Sequence, residues 1–307
     1  MTTFDKILVL VDGSERAWET LKYITKVEPL RQKKIVLFHI FDEFPDCYWD
    51  NEIDTRKPQD LPGFAAWQKV KTDRINAFMK AGQAFLTGCG LSGDQIEIRI
   101  QNRTRGIARD ILDEAQQGYD AVLMRRRGMG YTKGVSLGSV SCKLLAKLPR
   151  VPVLLAGRRP ITKRIIIAVD GSPATNRAVD FVCDWLGGYD YTAELLHVIR
   201  GVDTFDPTSP EFIPEELQDL IQEEARRQIE QLREQLIAAG FKPDKVSGRI
   251  ITGVQSRADT IVREAEEKHC GTIIIGRKQV PRVQDFFMGR ICHNVIHSGR
   301  DFTVWIP

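Results

Sequence analysis

The sequence predicts an α/β fold made of two doubly wound parallel sheets in tandem, and three observations predict it: an internal repeat, an apolar strand opening each repeat, and strands alternating with helices thereafter. The repeat is direct. Lys6-Ile7-Leu8-Val9-Leu10-Val11-Asp12-Gly13-Ser14 returns as Arg164-Ile165-Ile166-Ile167-Ala168-Val169-Asp170-Gly171-Ser172, and Val36 to Ile40 returns at the same offset as Glu194 to Val198. Further on, Ala108 to Ala115 answers Ala258 to Ala265. The first half spends a few extra residues in between, in an Asp-, Pro- and aromatic-rich stretch from Asp42 to Gly63 that reads as a long loop over one sheet edge.

At 307 residues the chain is long enough for two domains of ordinary size. The repeat places them at residues 1–157 and 160–307, with Gly157-Arg158-Arg159-Pro160 breaking the pattern between them. With 42% hydrophobic and 28% charged residues, both halves can bury a core. The net charge of +3, from 44 basic and 41 acidic residues, is too balanced to point to nucleic acid or a membrane surface. No apolar run is long enough to cross a bilayer, and Met1 to Val11 does not read as a signal peptide. Six cysteines without C-x-x-C spacing fit a reducing cytoplasm.

Each half reads strand, helix, strand, helix, strand, helix, strand, turn, helix, strand. The first strand of each is a continuous apolar run, as a strand buried on both faces of a parallel sheet requires. Ser172-Pro173 predicts a helix start, the hydroxyl capping free N–H groups and Pro taking the first helical position, with Ser14 placed equivalently. Pro214 opens the clearest helix, with Leu217, Leu220, Ile221, Ile229, Leu232 and Leu236 on one face and Gly240 as its stop; its counterpart runs from about Phe64 to Leu86. The closing strands are Val151 to Leu155 and Thr303 to Ile306.

In open parallel sheets, ligands settle beyond the C-terminal strand ends, where helix N-termini present unpaired N–H groups. Asp12 and Asp170 sit at such ends. A carboxylate there accepts bonds from ribose hydroxyls or an adenine amine, or else caps the next helix, and position alone leaves both readings open. After the fourth strand of the first half come Arg125-Arg126-Arg127-Gly128-Met129-Gly130 and then Gly138-Ser139-Val140-Ser141, which opens a helix. Glycines at such a turn let backbone approach a phosphate, though alone they are more often simple turns.

At this motif the chain resembles the universal stress protein family, whose nucleotide-binding members carry Gly, two residues, Gly, nine residues, then Gly-Ser or Gly-Thr. The first half reads Arg125-x-x-Gly128-x9-Gly138-Ser139 and the second Gly276-x-x-Gln279-x9-Gly289-Arg290. The resemblance covers nearly the whole chain twice and implies a Rossmann-like fold in each domain. Carried over by position, it places adenine and ribose contacts on Asp12 and Ile40, and phosphate contacts on Gly128, Gly138, Ser139 and Val140. The first half is thus expected to be the better pocket for ATP, with or without magnesium. Arg125 stands where the ribose-side glycine belongs, either filling the sugar's place or swinging out towards phosphates. A weaker second site falls on Asp170, Val198, Gly276, Gly289 and Arg290, where Gln279 and Arg290 disturb the phosphate cradle. The family's domains pair into dimers, often through their last strands, so the tandem chain resembles a covalent pseudo-dimer that can still form homodimers.

Arg125 to Arg127, with Arg103, Arg105 and Arg109 near in sequence, read as solvated edges without interleaved aromatics, so nucleic acid is not an expected partner. His293 and His297 share a helix face at metal-ligand spacing but lack a nearby carboxylate, so no metal site is assigned. His39 and His197 recur inside apolar strands and read as core packing. The sequence has no Walker Gly-x4-Gly-Lys-Ser, no Gly-x-Ser-x-Gly elbow and no His-Glu-x-x-His, so binding is expected rather than catalysis, with slow ATP hydrolysis at most. Two functions follow. One is a stress-response sensor that binds adenine nucleotide and signals to an unidentified protein partner. The other is a nucleotide-free scaffold that contacts partners through the Asp42–Gly63 loop, with Tyr48 and Trp49.

Overall fold

The computed structural model describes residues 5–44, 62–126, 137–200, 214–278 and 289–307. They fall into two compact units, Met1–Val151 and Pro152–Pro307. The first unit contains β1 (Lys6–Leu10), α1 (Ala17–Lys26), α2 (Glu28–Arg31), β2 (Lys34–Phe41), α3 (Phe64–Gly88), β3 (Ile96–Asn102), α4 (Ile107–Ala115), β4 (Ala121–Arg125) and α5 (Ser139–Lys147). Its strands lie in the order β3-β2-β1-β4 and are all parallel. The strand order reverses at β1, so β1 and β4 end beside one another with Val9 opposite Leu123. Ile7, Leu8 and Val9 have no exposed surface, as expected of an apolar run sandwiched between helical layers.

The second unit contains β5 (Val153–Ala156), β6 (Arg164–Val169), α6 (Pro173–Leu186), β7 (Thr192–Arg200), α7 (Glu215–Ala238), β8 (Val246–Val254), α8 (Arg257–Glu267), β9 (Thr272–Ile275), α9 (Arg290–Ser298) and β10 (Thr303–Ile306). Its strand order is β5-β10-β9-β6-β7-β8. All neighbours are parallel except β5 and β10, which run antiparallel with Leu154 opposite Trp305. By sequence β5 is the closing strand of the first repeat, and the compact second unit nevertheless includes it. Trp305 then packs edge-on to Phe181 and Trp185 of α6, with ring centroids 5.8 and 6.0 Å away.

Two sequence expectations are corrected here. The apolar face expected along α7 is buried only from Ala225 onward, at Ile229, Leu232 and Leu236, whereas Leu217 (46%), Leu220 (61%) and Ile221 (37%) are exposed. The contact of α7 with the sheet comes from its C-terminal half, so its first turns extend past the packed surface. The run Arg125 to Arg127 is not a solvated edge throughout, because Arg126 is buried at 6% exposure. Its repeat counterpart Arg277 is buried too, and its Nη2 donates to the Ile306 carbonyl at 3.5 Å, tying the end of β10 to the strand-end loop. Of the expected long loop, Asp42 is held by the Arg103 guanidinium at 2.6 Å, while Tyr48 and Trp49 lie outside the described residues.

Candidate functional site

Both Asp-Gly-Ser loops follow the C-terminal end of the first strand of their repeat, and in both the glycine adopts a positive φ, +72° at Gly13 and +69° at Gly171. Such a φ suits glycine, and at Gly171 a Cβ would also meet the Gln228 side chain at 2.3 Å. The turn folds the serine back onto the aspartate. Ser14 N–H and Oγ–H donate to Asp12 Oδ1 at 3.0 and 2.6 Å, and Ser172 N–H and Oγ–H donate to Asp170 Oδ1 at 3.1 and 2.5 Å. The expected capping role is therefore corrected: neither serine hydroxyl caps a helix, because each is spent on its aspartate. Ser172 still occupies the N-cap position of α6 with Pro173 at its first turn, but α1 begins only at Ala17.

Beyond this shared turn the two carboxylates differ. Asp12 Oδ2 is buried and accepts no hydrogen bond among the described residues. In the second unit, Thr175 stands where the first has Ala17, and its hydroxyl donates to Asp170 Oδ1 at 2.8 Å. Lys278 Nζ then pairs with Asp170 Oδ2 at 2.6 Å. Burial alone would raise the Asp170 pKa, but Lys278, Ser172 and Thr175 outweigh it and pull the value down to about 2. One aspartate is left with an open buried acceptor; the other is filled.

Around Asp12, Ile40 is buried in β2, and His39 Nδ1–H donates to the Val11 carbonyl at 2.8 Å, fixing the loop's start against the neighbouring strand. Burial lowers the His39 pKa, and that of His197 likewise, so both rings are neutral near pH 7. Past β4, the Gly138 N–H donates to the Arg126 carbonyl at 2.8 Å, and Ser141 Oγ–H donates to the Arg125 carbonyl at 3.1 Å. These bonds seat the N-terminus of α5 at the same sheet edge as Asp12. Gly138 is its N-cap, Ser139 is exposed and Val140 half-buried, and the first N–H groups of the helix have no partner within it. Arg125 is half-buried with Nη1 shielded from solvent, so its side chain is folded inward. Gly128 lies outside the described residues, as does Gln279 of the second motif.

The second unit holds a cavity of about 500 Å³ at its C-terminal strand edge, and Asp170, Val198, Gly276, Gly289 and Arg290 all line it. At Gly276 a Cβ would lie 2.2 Å from the Ala174 carbonyl oxygen, so only glycine lets the first turn of α6 rest on the strand end. The first unit has Arg125 there and a later helix start, with residues 14–19 forming a turn of i to i+3 bonds. Sequence reasoning missed two residues of this site, Lys278 and Thr175. Thr175 lies outside the motifs and Lys278 is a variable position within Gly276-x-x-Gln279, and only the fold brings Lys278 to Asp170. Among the described residues no cluster of three or more His, Cys, Asp or Glu could hold a metal ion, and no helix is long and apolar enough to cross a membrane. The His293 and His297 rings lie against each other at a tilt, with ring centroids 4.3 Å apart.

Residues 3–156 and 162–300 each match the model of the universal stress protein family. No curated protein matches the chain. Among solved structures, a universal stress protein from Archaeoglobus fulgidus is similar over 98% of this chain and 95% of its own, with a TM-score of 0.64 and 18% identity. A putative universal stress protein from Pseudomonas aeruginosa is similar over 98% and 92%, with a TM-score of 0.59 and 16% identity. At such identities the likeness shows the fold alone, a mostly parallel α/β architecture, whereas the two family matches account for nearly all of the sequence. This chain belongs to the universal stress protein family, as a member with two such domains in tandem.

Proposed function

We propose that this chain is a non-catalytic regulatory protein of the cytoplasm that binds adenine nucleotide in its first unit and passes the occupancy of that site to a protein partner. The observation that carries the reading is the open Oδ2 of Asp12. A buried carboxylate oxygen without a donor is costly, and an adenine amine or a ribose hydroxyl supplies the missing bond. Ile40 offers an apolar wall beside it, and the N-terminus of α5 at Gly138, Ser139 and Val140 offers N–H groups and a favourable dipole for phosphates. Gly128 is assigned to the same phosphate contact by its place in the motif.

Titration calorimetry with ATP and magnesium tests this. The wild type is expected to show one micromolar site, abolished by Gly138→Val and weakened about tenfold by Asp12→Asn, which replaces the open acceptor with a donor. Asp170→Asn leaves that site intact. ATP turnover abolished by Gly138→Val would instead make the protein an enzyme. The second reading, a nucleotide-free scaffold, is favoured by the Lys278–Asp170 pair and the inward Arg125, and it predicts no ATP binding by nucleotide-free wild type.

A further inference from the structure

The second unit's cavity differs in chemistry from what its place in the repeat implies. Among the described residues its acidic lining group is Asp170, whose Oδ1 is engaged by Ser172 and Thr175 and whose Oδ2 is engaged by Lys278. A nucleoside read by that carboxylate would share Oδ2 with the Lys278 ammonium, which crowds and draws charge from the acceptor. The remaining charged lining groups among the described residues are Arg200, Arg257, Lys278 and Arg290. Lys278 is offset by Asp170, and the other three cations, Arg200, Arg257 and Arg290, line a half-enclosed space, where charge is screened less than at an open surface.

A second observation concerns Arg257, the first residue of α8. Its Nε is shielded from solvent and donates no hydrogen bond among the described residues. An unsatisfied buried donor on a cation calls for an anionic acceptor. The starts of α8 and α9 also line the cavity, adding N–H groups and the positive ends of two helix dipoles. Leu196, Val198, Ile261 and Ile275 supply apolar lining to the same cavity.

We infer that the second unit's cavity is a site for a small phosphate ester, its phosphate held by Arg257 and Arg290 and its apolar or aromatic body lying on Leu196, Val198, Ile261 and Ile275, without selection for a nucleoside. Lys278 keeps Asp170 neutralised, so the carboxylate does not repel the incoming phosphate. Arg200 adds to the attraction from the end of β7. This site is independent of the nucleotide reading of the first unit.

The test uses 1-naphthyl phosphate as probe, followed by its own fluorescence, with 1-naphthol as the uncharged control. The full-length wild type and Gly138→Val are expected to bind the phosphate equally, and naphthol at least about tenfold more weakly. Arg257→Gln combined with Arg290→Gln is expected to weaken phosphate binding by about tenfold or more, whereas the paired lysine substitutions, which keep the charge and guard against loss of fold, stay within about threefold of wild type. Equal binding of naphthol and its phosphate, unchanged binding in the glutamine pair, loss of binding in Gly138→Val, or displacement of the probe by adenosine would each overturn the proposal. Failure of ATP to bind the first unit would leave all of these results unchanged.

Discussion

Asp12 and Asp170 occupy the same point of the same turn and carry different loads. Asp12 spends one oxygen on Ser14 and keeps the other open, whereas Asp170 is closed by Thr175 and Lys278. The stability of the second unit therefore depends on pH through Asp170. Its folded pKa, about 2, lies below the usual 3.8, so the stabilisation is fully present above about pH 5 and is lost as pH falls through 2. Chemical unfolding of wild type against Asp170→Asn is expected to show a difference of about 1–2 kcal/mol at pH 7, discounted for the half-exposed lysine, that shrinks below pH 4. A difference that stays constant down to pH 2 would deny the ion pair that role. The sequence showed where both aspartates stand but not which is open. That depends on Lys278, which only the fold brings to Oδ2, while Thr175 in place of Ala17 adds a further bond to Oδ1.

Elements were more legible than their ends. The apolar runs that became β1 and β6 and the periodicity of the C-terminal half of α7 follow from hydrophobic patterning, and the two sheets followed from the repeat. Helix starts at Ser172-Pro173, Pro214 and Gly138-Ser139 were legible too, whereas the start after Ser14 and the role of the serine hydroxyls were not. Ser14 and Ser172 carry the composition of caps, yet the positive-φ glycine before each turns the hydroxyl onto an aspartate instead. The early start of α6 further needs Gly276, whose missing side chain makes room for the Ala174 carbonyl. Gly276→Ala is expected to cost about 2 kcal/mol or more in thermal or denaturant unfolding, since the obstructing atoms are backbone. A neutral result would mean that α6 can retreat to the later start seen in α1.

The edge of the second unit makes a similar point. Removing β5 uncovers the backbone of Val304, Trp305 and Ile306, which it pairs antiparallel. A chain of residues 160–307 is therefore expected to aggregate, and one of residues 152–307 to remain soluble, in sedimentation of matched preparations. Equal solubility would show that β10 needs no partner on that side.

For the whole molecule, duplication of one sequence pattern explains the two α/β units, and divergence of a few residues at the strand ends explains why their sites differ. The first repeat has an open carboxylate and a Gly-Ser helix start; the second has Thr175, Lys278 and Arg290 around its cavity. Family membership was readable from the apolar strands and the spaced glycines, since both survive substitution around them. Pocket chemistry was legible only at Arg290, because the rest depends on a variable position within the motif, Lys278, on Thr175 outside it, and on contacts distant in sequence. The central claim is that adenine nucleotide binds the first unit through Asp12. Its most direct test is photolabelling of the full-length protein with azido-ATP at a concentration that half fills the site, followed by peptide mapping. Label on first-unit peptides, lost in Asp12→Asn, is the predicted result; label confined to second-unit peptides, or no label that unmodified ATP competes away, would contradict it.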